Sequence, residues 1–174
     1  LPLRKKRMDA SNRCTTLVHI ANGYLYGGQP QQALAVLEDV QPPEKALEMR
    51  GLVAGNKATC FLAAGEMDRA QTAMDELRRI AADRNCKKEF VQKARHTLGY
   101  LQLCMDIARG RHADVGALQK DFESSRAPLH RLDVQYRIAL ALRHRGDRTG
   151  MEKSREYLLE NSGGTCYGEL ARAL

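Results

Sequence analysis

Five histidines, five cysteines and 21 acidic residues are the groups in this 174-residue chain that could carry nucleophilic, acid–base or metal chemistry. Such chemistry needs side chains that converge, and here the spacing keeps them apart. His19, His96, His112, His130 and His144 fall one to a helix or turn, with no H-E-x-x-H or E-x-x-H pairing to set two ligands on one helical face. Cys14, Cys60, Cys86, Cys104 and Cys166 are odd in number and contain no C-x-x-C pair, and Cys14 with His19 finds no second pair at ligand spacing. They read as structural thiols on small apolar helix positions, in a reducing compartment. Lone carboxylates such as Asp75-Glu76 read as an exposed helix face. There is no phosphate-binding glycine loop and no nucleophile elbow. The expectation is a chain with no catalytic residue, no metal and no cofactor.

Recognition is the chemistry that remains. Lys and Arg number 28 against 21 Asp and Glu, a formal +7. Arg4, Lys5, Lys6 and Arg7 supply four of those charges directly after the apolar Leu1-Pro2-Leu3. That order matches the cytoplasmic flank of a transmembrane helix, so residues 1–8 are expected to form a juxtamembrane-type basic segment resting on anionic lipid. A solvated basic terminus and a nucleic-acid arm are the other readings of the same run. Further clusters at Arg78-Arg79, Arg109 to His112 and Arg143 to Arg148, with a pI near 9.3, raise nucleic-acid binding as a second function class. Against it, three Phe, six Tyr and no Trp leave few stacking platforms, and arginines near helix ends also complement the macrodipole. No apolar run approaches the roughly 20 residues that span a bilayer, and no signal-peptide pattern opens the sequence.

The elements that must position these residues are helices. Ala, Leu, Arg and Glu recur, Val/Ile runs are few, and only five prolines occur. Gly28, Gly65, Gly110 and Gly146 each stand five positions before a small or apolar residue, Ala33, Ala70, Val115 and Met151. Seven positions further come Val40, Leu77, Phe122 and Leu158, two turns on along the same face. Upstream, Ala21, Ala58 and Ala139 each precede their glycine by seven residues, with Tyr24, Phe61 and Leu142 three residues after the alanine. The unit is helix, glycine turn, helix, in which small residues let two axes approach and large ones interlock. Helices are predicted near 9–26, 30–41, 44–63, 67–83, 87–108, 113–125, 129–145, 148–161 and 166–173, with Pro42-Pro43 and Ala127-Pro128 separating hairpins.

This pattern resembles the tetratricopeptide repeat, a helical hairpin of about 34 residues. The match is best over Thr15 to Val40 and Leu52 to Leu77. In Leu132 to Leu158, Arg155 replaces a large apolar residue. In the third unit Leu98-Gly99 supplies the leucine and small residue, but Gly110 comes 11 residues on, about one helical turn late, so that helix should be lengthened. The resemblance implies an all-α, right-handed superhelical array of about four hairpins over residues 9–174, closed by a short capping helix at Cys166 to Leu174 that is prone to fray. It implies a non-catalytic protein-interaction module holding a peptide or partner helix in a concave groove. Carried over by position, Asn22, Asn56 and Lys93 would line that groove, while Val18 and Thr97 stand where the family's carboxylate clamp has basic residues. A membrane-anchored cytoplasmic protein is expected, or an accessory domain of a membrane enzyme whose catalytic part lies upstream.

Overall fold

A computed structural model describes residues 10–174; the Arg4 to Arg7 cluster lies outside the described residues. The described chain is built of helices: α1 (Ala10–Tyr26), α2 (Pro30–Glu38), α3 (Leu47–Ala63), α4 (Met67–Ala81), α5 (Lys88–Ala108), α6 (Val115–Ser124), α7 (Pro128–His144), α8 (Arg148–Asn161) and α9 (Tyr167–Arg172). Pro30 and Pro128 open α2 and α7, where a missing N–H costs nothing. Asp114 and Asp147 cap α6 and α8 by accepting the backbone N–H of Ala117 at 3.1 Å and of Gly150 at 2.9 Å.

The glycines act where the sequence places them. Gly28, Gly65, Gly110 and Gly146 have φ of 77°, 77°, 68° and 74°, the left-handed conformation that a Cβ penalises. At three of them the hydrogen bonds repeat. Gly65 N–H donates to Leu62 and Glu66 N–H to Phe61; Gly110 donates to Ile107 and Arg111 to Asp106; Gly146 donates to Arg143 and Asp147 to Leu142. This is the Schellman ending, which satisfies the last carbonyls of the helix. Ala21, Ala58 and Ala139 before the turns, and Ala33 and Ala70 after them, are all fully buried.

The third turn departs in two ways. α5 has 21 residues where α1, α3 and α7 have 17, the extra turn expected from the spacing. Gly99 nevertheless does not take the small buried position: it is exposed, with nothing within 4 Å of where its Cβ would be, and Cys104 is buried instead. After Gly110 the chain runs through Arg111–Asp114 before α6 begins, whereas the other second helices start two residues past their glycine. The fourth residue of α6 is therefore Leu118, fully buried like Ala33 and Ala70, and Val115 is only half-buried.

The chain divides into two compact units, one of α1 up to Leu25 with Pro30–His96, the other of Tyr26–Gln29 with Thr97–Leu174. In the first, α3 packs on α2 and α4, around Leu37, Val53, Phe61, Met74, Leu77 and Ile80. Phe90 of α5 lies across Gly51 of α3, in the space a side chain there would fill. In the second, α7 packs on α6, α8 and α9, and α8 on α9. Tyr167 and Ala171 of α9 bury themselves against Leu132 and Leu158, with Tyr26 and Tyr136 packed alongside. The C-terminal segment thus packs on α7 and α8, and Cys166 N–H also donates to Tyr26 O at 2.9 Å.

A buried ionic group ties this second unit together. Asp133 of α7 accepts the Tyr100 hydroxyl of α5 at 2.5 Å and the Tyr167 hydroxyl of α9. Arg137 Nε lies 3.3 Å from its carboxylate, close enough to pair but not aligned for a hydrogen bond. Burial, and then the Asp133 charge, push both tyrosines well above their usual range. Burial is the largest influence on Arg137 and opposes its charge, but Asp133 together with Cys104, Tyr100 and Tyr167 outweighs it and raises that group well above its usual value.

Candidate peptide-binding face

Asn22 and Asn56 stand on α1 and α3, and Lys93 on α5, all in the first unit. At about 100° per residue, Asn22 lies about 100° around α1 from buried Ala21, and Asn56 about 160° around α3 from buried Ala58 in the same sense. Both are half-buried and Lys93 is exposed. Asn56 Nδ2 donates to Leu52 O of its own helix at 2.8 Å, and nothing donates to its Oδ1. Asn22 makes no side-chain hydrogen bond with any described residue. Lys93 likewise has no ion-pair partner among them. No hydrogen bond joins the three to one another.

An amide that is partly withdrawn from water and makes no bond inside the protein can still serve a ligand, since it offers two donors and an acceptor. The neighbouring polar side chains are otherwise engaged: Thr15 and Thr59 return their hydroxyls to Ser11 O and Gly55 O on their own helices. Lys93 stands six residues before Gly99, which is exposed and is not the buried small residue of α5.

Several features of these helices were not anticipated. Leu52, one turn before Asn56, is 43% exposed and adds apolar surface to this flank of α3. Tyr24, expected to pack as Phe61 does, is 40% exposed and shares the opposite flank of α1 with Ile20, whereas Phe61 is buried beneath the Arg69 guanidinium. A cleft of about 310 Å³ opens between the Pro42 linker and α3, lined by Val40, Pro42, Arg50, Val53 and Lys57. Lys57 has no partner there among the described residues.

In the second unit, His130 Nε2 is 3.0 Å from Asp121 Oδ2, and its ring meets Tyr100 edge-on. Arg155, the residue that breaks the apolar pattern of the fourth repeat, donates to Ala171 O at 3.0 Å and pairs with Glu152. All five cysteines are free thiols, and Cys14, Cys60 and Cys104 are buried. Among the described residues no helix is long and apolar enough to cross a membrane. Comparison of the chain with protein-family models, with curated proteins and with solved structures gives no match.

Proposed function

We propose that this chain is a non-catalytic protein-interaction module built of tetratricopeptide-like hairpins, and that the α1–α3 flank bearing Asn22 and Asn56 holds an extended peptide or partner helix. The observation that carries this reading is Asn22, half-buried and making no hydrogen bond of its own, together with the open Oδ1 of Asn56. Amides of this kind bond a ligand's main chain without regard to its sequence, and exposed Leu52, one turn before Asn56, supplies an apolar contact. Lys93 would meet an acidic group of the ligand. The repeated glycine turns and fully buried alanines support the family resemblance, since they are its means of bringing two helices close. Residues Arg4 to Arg7 would lie against anionic lipid on the cytoplasmic face of a membrane, each charge adding about 1 kcal/mol.

Selection from a displayed peptide library tests the reading. Peptides that bind the chain should lose roughly tenfold or more in affinity to the double variant Asn22→Ala, Asn56→Ala, because each lost hydrogen bond is worth about 1 kcal/mol. Selected peptides that bind the double variant equally well place the site elsewhere.

A further inference from the structure

Two basic clusters far apart in sequence, Arg109 to His112 and Arg143 to Arg148, meet in the second unit. Arg145 Nη2 donates to the Ala113 carbonyl, so the turn after α7 lies against the loop that follows α5. Together they gather Arg109, Arg111, Arg143, Arg145 and Arg148, all exposed, with His112 and His144. Three acidic residues lie in or beside these segments and each is engaged. Asp106 pairs with Arg111, while Asp114 and Asp147 cap α6 and α8. With Arg145 given to Ala113, Arg109, Arg143 and Arg148 remain without a partner among the described residues. Arg143 near the end of α7 also favours that helix's dipole, but this leaves the five donors of each guanidinium unfilled.

From this arrangement we infer that the edge formed by the Gly110 and Gly146 turns binds the phosphate backbone of a nucleic-acid duplex, without reading bases. The positive charge in these two segments is arginine, with no lysine, and arginine's fork matches phosphate two bonds at a time. Among the described residues, the exposed large apolar ones, Ile20, Tyr24, Leu52, Leu129 and Leu159, all lie outside these segments. The edge therefore lacks the aromatic platform a single strand stacks on, the buried anchor a protein partner would need, and the apolar wedge that inserts into lipid. A rigid phosphate backbone asks for none of these.

The test is fluorescence anisotropy of the full chain with a short labelled DNA duplex, over a salt series. Binding at low salt should weaken as salt rises, and the triple variant Arg109→Ala, Arg143→Ala, Arg148→Ala should make the log K against log salt slope shallower by about 3, close to one counterion per arginine removed. Arg78→Ala, Arg79→Ala, Arg84→Ala removes the same charge from exposed sites of the first unit and should leave that slope nearly unchanged. Equal losses in both triples would show that net charge alone is responsible and would overturn the assignment. So would no binding at low salt, displacement of the duplex by polyglutamate at matched charge, or capture by phosphatidylserine vesicles with none by the duplex. None of these variants touches Asn22 or Asn56, so failure here is distinct from failure of the peptide-binding reading.

Discussion

At the scale of single residues, the least expendable side chain is Asp133. Its carboxylate is buried, receives two tyrosine hydroxyls and faces a guanidinium. Asp133→Ala would leave Arg137 charged and unpaired in the interior, and denaturant unfolding should show a loss of about 3–5 kcal/mol. Tyr100→Phe removes one hydrogen bond to a charged acceptor and should cost about 1.5–3 kcal/mol. The buried thiols set a second expectation. Burial pushes Cys60 and Cys104 from 9.0 up to about 12, so between those values the folded chain keeps protons that the unfolded chain has released. Stability should therefore be level below about pH 9 and fall as pH rises beyond it, by up to about 1.4 kcal/mol per pH unit for each thiol. Denaturation curves near pH 8 and near pH 10 measure the drop, and Cys60→Ala with Cys104→Ala should make it smaller, leaving the part that other raised groups such as Cys166 contribute. None of the Asp133 network could be read from sequence. Tyr100, Asp133 and Tyr167 lie on three helices, and nothing local marks an aspartate for burial.

Individual elements were the most legible level. α8 spans Arg148–Asn161, the interval the pattern marks; α5 differs from its expected interval by one residue at one end, and α7 and α9 by one residue at each end. Glycine punctuation and proline placement are local causes, so local sequence reveals them. The register of the third repeat was not legible in the same way. Spacing from Gly110 points to Val115, whereas Leu118 is the buried residue, because Arg111–Asp114 delays α6 until Asp114 can cap it. Counting residues cannot detect a loop whose length is decided by where the next cap falls. Tyr24 fails for a different reason: it follows Ala21 by three residues as Phe61 follows Ala58, but burial there depends on what packs against that flank of α1. At this scale Gly65→Ala isolates the backbone cost. Nothing lies within 4 Å of the added methyl, so φ of 77° is the only obstacle, and a thermal melt should report about 1–2 kcal/mol lost. Ala70→Leu probes packing instead, and overfilling this fully buried site between α3 and α4 should cost about 1–3 kcal/mol.

Over the molecule as a whole, the face proposed for peptides belongs to the first unit and the arginine edge to the second, so each can be disabled without touching the other's residues. Asn22 and Asn56 were singled out through the family resemblance, and only the structure reveals that Asn22 makes no side-chain hydrogen bond with any described residue while Asn56 bonds its own helix. The arginine clusters were visible as two runs, but their meeting depends on a tertiary contact at Ala113. The second unit also depends on α9, whose Tyr167 joins the Leu132–Leu158 cluster. Tyr167→Ala should cost about 3–5 kcal/mol through lost packing, and proteolysis should find the second unit opened before the first.

The bond from Cys166 N–H to Tyr26 O has a consequence for the order in which the chain is made. Tyr26 leaves the ribosome well before the partner it waits for, which follows 140 residues later. Until then Tyr26–Gln29 lack the Cys166–Tyr167 segment that holds them, while the first unit's own hairpins can already close. Nascent chains arrested before Cys166 should show the α3–α4 hairpin protected and the Tyr26 turn still open, a delay that local contacts alone would not impose.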